Sequence, residues 1–106
     1  MLPREHRLRS SREIREVISR GKRASNSVAT LHYRPAPKNR FAIVVSKAVG
    51  NAVHRNLVKR RMRSILAKQI NANPAIEGVF RMRPNTSDVS YTDLSSQIEQ
   101  LMGRAR

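Results

Sequence analysis

Between Gly50 and Ser64 the chain reads GNAVHRNLVKRRMRS, with five Lys or Arg side chains, one histidine and no carboxylate. Arg presents a planar fork of donors that matches phosphate oxygens and Lys a point charge, so the chemistry on offer is phosphate binding rather than proton transfer. Read as a helix, Asn56, Lys59, Arg60 and Arg63 stand at i, i+3, i+4 and i+7 and share one stripe. A stripe of that spacing can follow a nucleic-acid backbone. Few other residues compete for a chemical role. The three histidines, His6, His32 and His54, lie far apart and lack metal-ligand spacing. The carboxylates fall towards the two ends, and Glu13 and Glu16 stand beside Arg12 and Arg15, where intrahelical ion pairing is their expected use. Cysteine is absent, which removes disulfides, thiol catalysis and zinc sites built on Cys. Gly50 in VGNAV stands alone and supplies no nest of backbone donors for a phosphate loop. Nothing here assembles a base, a nucleophile or a metal set for independent catalysis.

The charge of the whole chain points the same way. Twenty-two Lys and Arg against seven Asp and Glu give a formal net charge of +15. Between Glu16 and Glu77 there is no acidic residue, while thirteen basic ones occur. Self-repulsion on this scale destabilises a compact monomer unless a polyanion relieves it, so a polyanionic partner is expected. A membrane surface is the weaker candidate, because it calls for an amphipathic helix with Trp, Phe or Leu opposite the cations. No apolar run approaches the roughly eighteen residues of a membrane-spanning helix. The N-terminal MLPREHRLRSSRE is basic but has no apolar core, so it is not read as a secretory signal, and the cytoplasm is the expected compartment.

The elements that must position the stripe follow from capping and periodicity. A chain of 106 residues suits one domain, residues 1–106, with an aliphatic core, since it has two Phe, two Tyr and no Trp. Ser10 with Glu13 has capping-box spacing, Ile14, Val17 and Ile18 fall at helical spacing and Gly21 ends the run, which predicts a helix over 11–20. SVATLHYR (27–34) and RFAIVVS (40–46) read as strands joined by PAPKN, and the short loop predicts an antiparallel pair. The continuous apolar run AIVV predicts that the second of these is central and covered on both faces. A helix is expected over about 51–70, with Val58, Met62, Ile65 and Leu66 as its apolar stripe, displaced around the axis from the cations. GVFRMR (78–83) reads as a third strand closed by Pro84, and Ser90 opens a last helix carrying Leu94, Ile98, Leu101 and Met102 before Gly103. The order α-β-β-α-β-α predicts an α+β fold, three helices packed on one small, mainly antiparallel sheet. A DNA reader would place its basic helix within a helix-turn-helix. Here that helix joins strands, so RNA recognised through shape and phosphates is the better fit.

The run SKAVGNAVHRNLVKRRMR (46–63) resembles the signature of the bacterial ribonuclease P protein family, S-K-x-x-G-x-A-V-x-R-N-x-x-K-R-x-x-R. LPREHRLRSSREI at 2–14, RGK at 20–22 and SYTDL at 90–94 extend the resemblance over nearly the whole chain. It implies a fold like the second domain of ribosomal protein S5, including a left-handed βαβ crossover where general topology favours the right-handed form. It implies two partners, a large catalytic RNA and precursor tRNA, with no small-molecule substrate and no membrane. The holoenzyme then removes the 5' leader of the precursor, while the RNA holds Mg2+ and performs the hydrolysis, so no side chain of this protein is catalytic or a metal ligand. Carried over by position, Lys47, Asn51, Arg55, Asn56, Lys59, Arg60 and Arg63 are the expected RNA contacts, and Gly50 serves the turn. Arg55 lies toward the apolar stripe and either reaches RNA from the helix's first turn or pairs within the fold.

Two departures from the family pattern matter. Leu57 stands where a further basic residue is common. Ile14 and Ile18 stand where the family often places aromatics facing a cleft for the leader, so base stacking there is weaker. The strand position of that cleft falls at His32 or Tyr33, and a shift of one residue exchanges faces. For Ile14, Ile18, His32 and Tyr33, packing in the core is the competing reading. A ribosomal or other structural RNA-binding protein is the alternative function, and a stand-alone nuclease a third.

Overall fold

The computed structural model describes residues 2–106. Caps and apolar stripes define its three helices. Ser10 caps α1 (Ser11–Arg20), its Oγ accepting the Glu13 N–H. Gly21 follows because a Cβ there would stand 2.5 Å from the carbonyl oxygens of both Val17 and Tyr33. Asn51 caps α2 (Ala52–Ala67), and the buried residues of that helix are Val58, Met62, Ile65 and Leu66, the expected stripe. Ser90 caps α3 (Tyr91–Ala105), which buries Leu94, Ile98, Leu101 and Met102. It runs on through Gly103 rather than stopping before it, since that position faces open space and its missing side chain costs no packing. No helix of the described residues is long and apolar enough to cross a membrane.

Four strands form one sheet: β1 (Lys22–Ser25), β2 (Ala29–Pro35), β3 (Arg40–Val44) and β4 (Ile76–Met82), in the order β1-β2-β4-β3. The expected antiparallel pair of β2 and β3 does not form. β4 inserts between them, antiparallel to β2 and parallel to β3. The reason lies in the loop that joins them: Asn39 is buried and donates to the carbonyls of Ile70 and Ala72 while its Oδ1 accepts the Ile76 N–H. That side chain docks the start of β4 beside β3, where a hairpin turn would have placed β2. β3 is therefore an edge strand and β4, with β2, one of the two inner ones. The apolar run of β3 is covered only in part: the N-terminal segment shields its outer edge through a 2.8 Å bond from the Leu8 N–H to the Phe41 carbonyl, while Val44 stays exposed.

β1 has no sequence signal of its own, with Ala24 as its one apolar residue. It forms because Asn26 Oδ1 accepts the N–H groups of Val28 and Ala29, reversing the chain so that Ala24 pairs with Leu31. Two of the three pairings are antiparallel, so the sheet is mixed but mainly antiparallel, and β3, α2 and β4 make the one parallel crossover.

Alternation divides the sheet into two faces. Leu31, Phe41 and Phe80 point to α2 and α3, the two rings 6.1 Å apart between centroids. Ala42 and Val79 point the other way and pack with Val17 of α1 and Leu8. On that second face Glu77 is buried on β4, with Arg34 Nε at 2.8 Å and Arg40 Nη1 at 2.9 Å. Arg40 also donates to both carboxylate oxygens of Glu13, at 3.1 and 3.2 Å, and Arg34 lies 3.6 Å from Glu16. Glu13 and Glu16 thus pair with the sheet rather than with Arg12 and Arg15, because α1 turns its acidic side inward.

Removing the buried charge leaves two guanidinium groups without their shared partner. Loss of one member of a fully buried pair costs about 3–5 kcal/mol. Arg34 and Arg40 side chains keep 30% and 25% exposure, so Glu77→Gln is expected to lower stability by about 2 kcal/mol in urea denaturation. An unchanged midpoint would show that water replaces Glu77 without loss.

Candidate nucleic-acid interface

α2 carries its cations on a side that the core does not use. Arg60, Arg63 and Asn56 are exposed, and Lys59 and Arg55 are half-buried. The Lys and Arg side chains in ion pairs among the described residues are Arg34 and Arg40, so the charges of Arg55, Lys59, Arg60 and Arg63 stay unpaired. Arg61, between them in sequence, behaves differently. It donates to the Val89 carbonyl at 2.8 Å and fastens α2 to the segment before α3. The helical period separates one structural arginine from the outward stripe.

The loop before α2 is rigid for local reasons. Lys47 lies exposed on a short 3-10 turn, Lys47–Val49, anchored by buried Val49. Gly50 follows with φ of 143°, a region that favours glycine, and a Cβ there would stand 2.8 Å from His54 Nδ1. Asn51 then commits its side-chain oxygen to the His54 N–H at 3.1 Å. Its amide donors remain for an outside acceptor. Val53, on the first turn of α2, is 74% exposed, an apolar side chain within the cationic surface.

The second predicted group is split by the sheet. Ile14 and Ile18 are half-buried along α1 and pack against Leu8, Val17, Ala42 and Val79. His32 faces that side, paired with Val79 and Arg23 across the sheet. Tyr33 points to the opposite face and packs against the core of α2 and α3. Period-two alternation separates the two candidates, and only His32 stands with Ile14 and Ile18.

His32 is 5% exposed, and its Nε2 has no hydrogen-bond partner. Burial first, then Arg81 and Arg23, hold its pKa below the ordinary 6.5. The ring is therefore neutral at neutral pH. Arg23 and Arg81, exposed on the same face, are additions that sequence reasoning missed. Their alternation with His32 exists only once the β1–β2 and β2–β4 registers are known. A cavity of about 270 Å³ lies beyond them, lined in part by Thr30, Val44, Ser46 and Arg81.

The carboxylates of the face under α1 are already engaged. Mg2+ prefers carboxylate oxygens and water, whereas Glu13, Glu16 and Glu77 are held by Arg34 and Arg40. No group of three His, Asp or Glu among the described residues is gathered to bind one.

Comparison with known proteins gives a consistent result. The sequence model of the family described as Ribonuclease P matches residues 2–106. The ribonuclease P protein component of Streptomyces bikiniensis is 35% identical, covering 97% of this chain and 97% of its own. That of Micrococcus luteus is 37% identical, covering 99% of this chain and 91% of its own. Among solved structures, the ribonuclease P protein of Thermotoga maritima superposes with a TM-score of 0.82 at 26% identity, covering 92% of this chain and 96% of that one. The Staphylococcus aureus protein shares the fold with a TM-score of 0.87 at 21% identity, covering 95% of each chain.

The buried imidazole sets a pH dependence whose sign follows from linkage. Because the folded pKa is depressed, the unfolded chain binds a proton more readily in the interval below 6.5, and the stability due to neutral His32 falls as pH drops through it. His32→Phe keeps an aromatic ring and removes the proton site. Its urea midpoint relative to the unaltered protein is expected to rise between about pH 7.5 and about pH 5.5. A difference that stays constant over that range would mean His32 titrates alike in both states.

Proposed function

The chain belongs to the ribonuclease P protein family, and from that premise we propose how it serves the removal of the 5' leader from precursor tRNA. It is the non-catalytic subunit of an endoribonuclease whose RNA carries the chemistry. Lys47, Asn51, Arg55, Asn56, Lys59, Arg60 and Arg63 dock α2 and its preceding loop on that RNA. The observation that carries this reading is the row of unpaired cations on α2, set opposite the buried stripe of the same helix. Guanidinium and ammonium groups at helical spacing meet successive phosphates without reading bases, which suits a folded RNA recognised by shape.

The leader of the precursor lies along the face under α1, past Ile14, Ile18 and His32, with Arg23 and Arg81 beside its phosphates. Tyr33, turned to the other face, has no part in this. Aliphatic side chains at Ile14 and Ile18 give apolar contact without a π-face, so leader binding here leans on charge more than on stacking. The hydrolysis depends on Mg2+, which the RNA holds. The protein's part is to neutralise phosphate repulsion and hold two RNA chains together, in the cytoplasm where the precursor is made.

A structural RNA-binding protein would share the charge but would not alter cleavage, and a stand-alone nuclease would cut unaided. A precursor tRNA cleavage assay separates them. The chain alone is expected to be inert, and to raise the activity of the catalytic RNA at low Mg2+. Cutting by the chain alone, or no enhancement, would defeat this reading. Within it, Arg60→Ala is expected to weaken binding to the catalytic RNA and to reduce the slope of log affinity against log salt by about one unit. An unchanged slope would remove Arg60 from the contact set.

A further inference from the structure

The N-terminal segment does more than shield the edge of β3. The Leu8 N–H bond to Phe41 and a parallel bridge between Arg7 and Phe41 lay residues 7–9 along that edge. This brings Arg7 and Arg9 opposite Lys59 and Arg63 of α2. The four cations line one cavity of about 310 Å³, whose apolar wall includes Leu8, Ala42 and Ile14. Among the described residues no carboxylate lines it. Glu13, next to Ile14 in sequence, is turned away to Arg40.

Four like charges around one space repel each other across a partly apolar wall, and an anion is the natural complement. Arg7 has committed its Nε to the Leu2 carbonyl at 2.9 Å, which fixes its guanidinium and leaves the Nη donors. Arg9 is exposed. We propose that this cavity seats one backbone phosphodiester of RNA, and that Arg7 and Arg9 belong to the contact set with Lys59 and Arg63. The inference rests on the RNA-binding reading above and extends it to residues outside the signature helix. The cavity lies between the cationic side of α2 and Ile14 on α1, so it joins the surface proposed for the catalytic RNA to the face proposed for the leader. Either RNA can supply the phosphodiester.

Arg9→Gln removes one charge at an exposed position, and Arg9→Lys restores it. Each variant is assembled with the catalytic RNA, with thermal midpoints compared first. Two affinities are measured at about 50 and about 200 mM salt: protein for catalytic RNA, and holoenzyme for precursor against mature tRNA. Arg9→Gln is expected to weaken one of them, and the loss shrinks about three-fold at the higher salt, as expected for one phosphate contact. Arg9→Lys recovers most of it. A loss for precursor but not mature tRNA assigns the phosphodiester to the leader, and a loss in assembly assigns it to the catalytic RNA. Unchanged affinities, or a loss indifferent to salt, would overturn the proposal. Arg60→Ala measured in parallel still shows its own effect in that event, so the cavity can fail while the RNA-binding role stands.

Discussion

Glu77 is buried on the inner strand β4 and held from both sides by Arg34 and Arg40, whose remaining donors reach toward Glu16 and Glu13 on α1. A carboxylate in that position is unfavourable unless both neighbours stay in place, so the network fixes the register of β2, β4 and β3 and the seat of α1 together. It also takes three of the seven carboxylates out of contact with the other cations. Of the four that remain, Asp88, Asp93 and Glu99 lie on or just before α3. The cations of α2, and Arg23 and Arg81 on the face under α1, are left outside the ion pairs of the described residues. The fold thus produces a directed positive field by deciding where its few acids go.

The same register decides what the field surrounds. Pairing β2 with β4 sends His32 toward α1 and Tyr33 toward α3. It also sets Arg81 near His32, and the β1–β2 register adds Arg23, so that burial and these two guanidinium groups keep the ring neutral. On the other side of the sheet, burial of Val58, Met62, Ile65 and Leu66 sets the rotation of α2 about its axis. Lys59, Arg60 and Arg63 then have no route inward. Apolar packing aims the charges, and Arg61, bonded to the Val89 carbonyl, makes the rotation harder to lose.

Elements governed by local chemistry were legible in the sequence. The caps Ser10 and Ser90 and the stripes of all three helices follow from spacing alone, and α1 begins and ends where its cap and Gly21 predict. Strand pairing was not legible, because it depends on long-range partners. AIVV has the look of a central strand, yet β3 lies at the edge and owes its cover to Leu8 and α1. The strand expected over 78–83 begins two residues earlier, at Ile76, because Arg34 and Arg40 make Glu77 tolerable inside the sheet. The interface divided along the same line. The signature on α2 announces itself, whereas Arg23 and Arg81 emerge only from register, and Arg7 and Arg9 only from the docking of a segment without regular structure beyond one turn.

The claim at the centre of this account is that α2 presents its cationic side to the catalytic RNA. The natural chain has no cysteine, so a single introduced one can carry a tethered iron chelate that cleaves nearby RNA by hydroxyl radicals. With the tether at Asn56→Cys, beside the cations, strand breaks are predicted at one compact site in the catalytic RNA of the assembled holoenzyme. From Glu99→Cys on the exposed side of α3 they are predicted to be absent or far weaker. Breaks from Glu99→Cys with none from Asn56→Cys would contradict it.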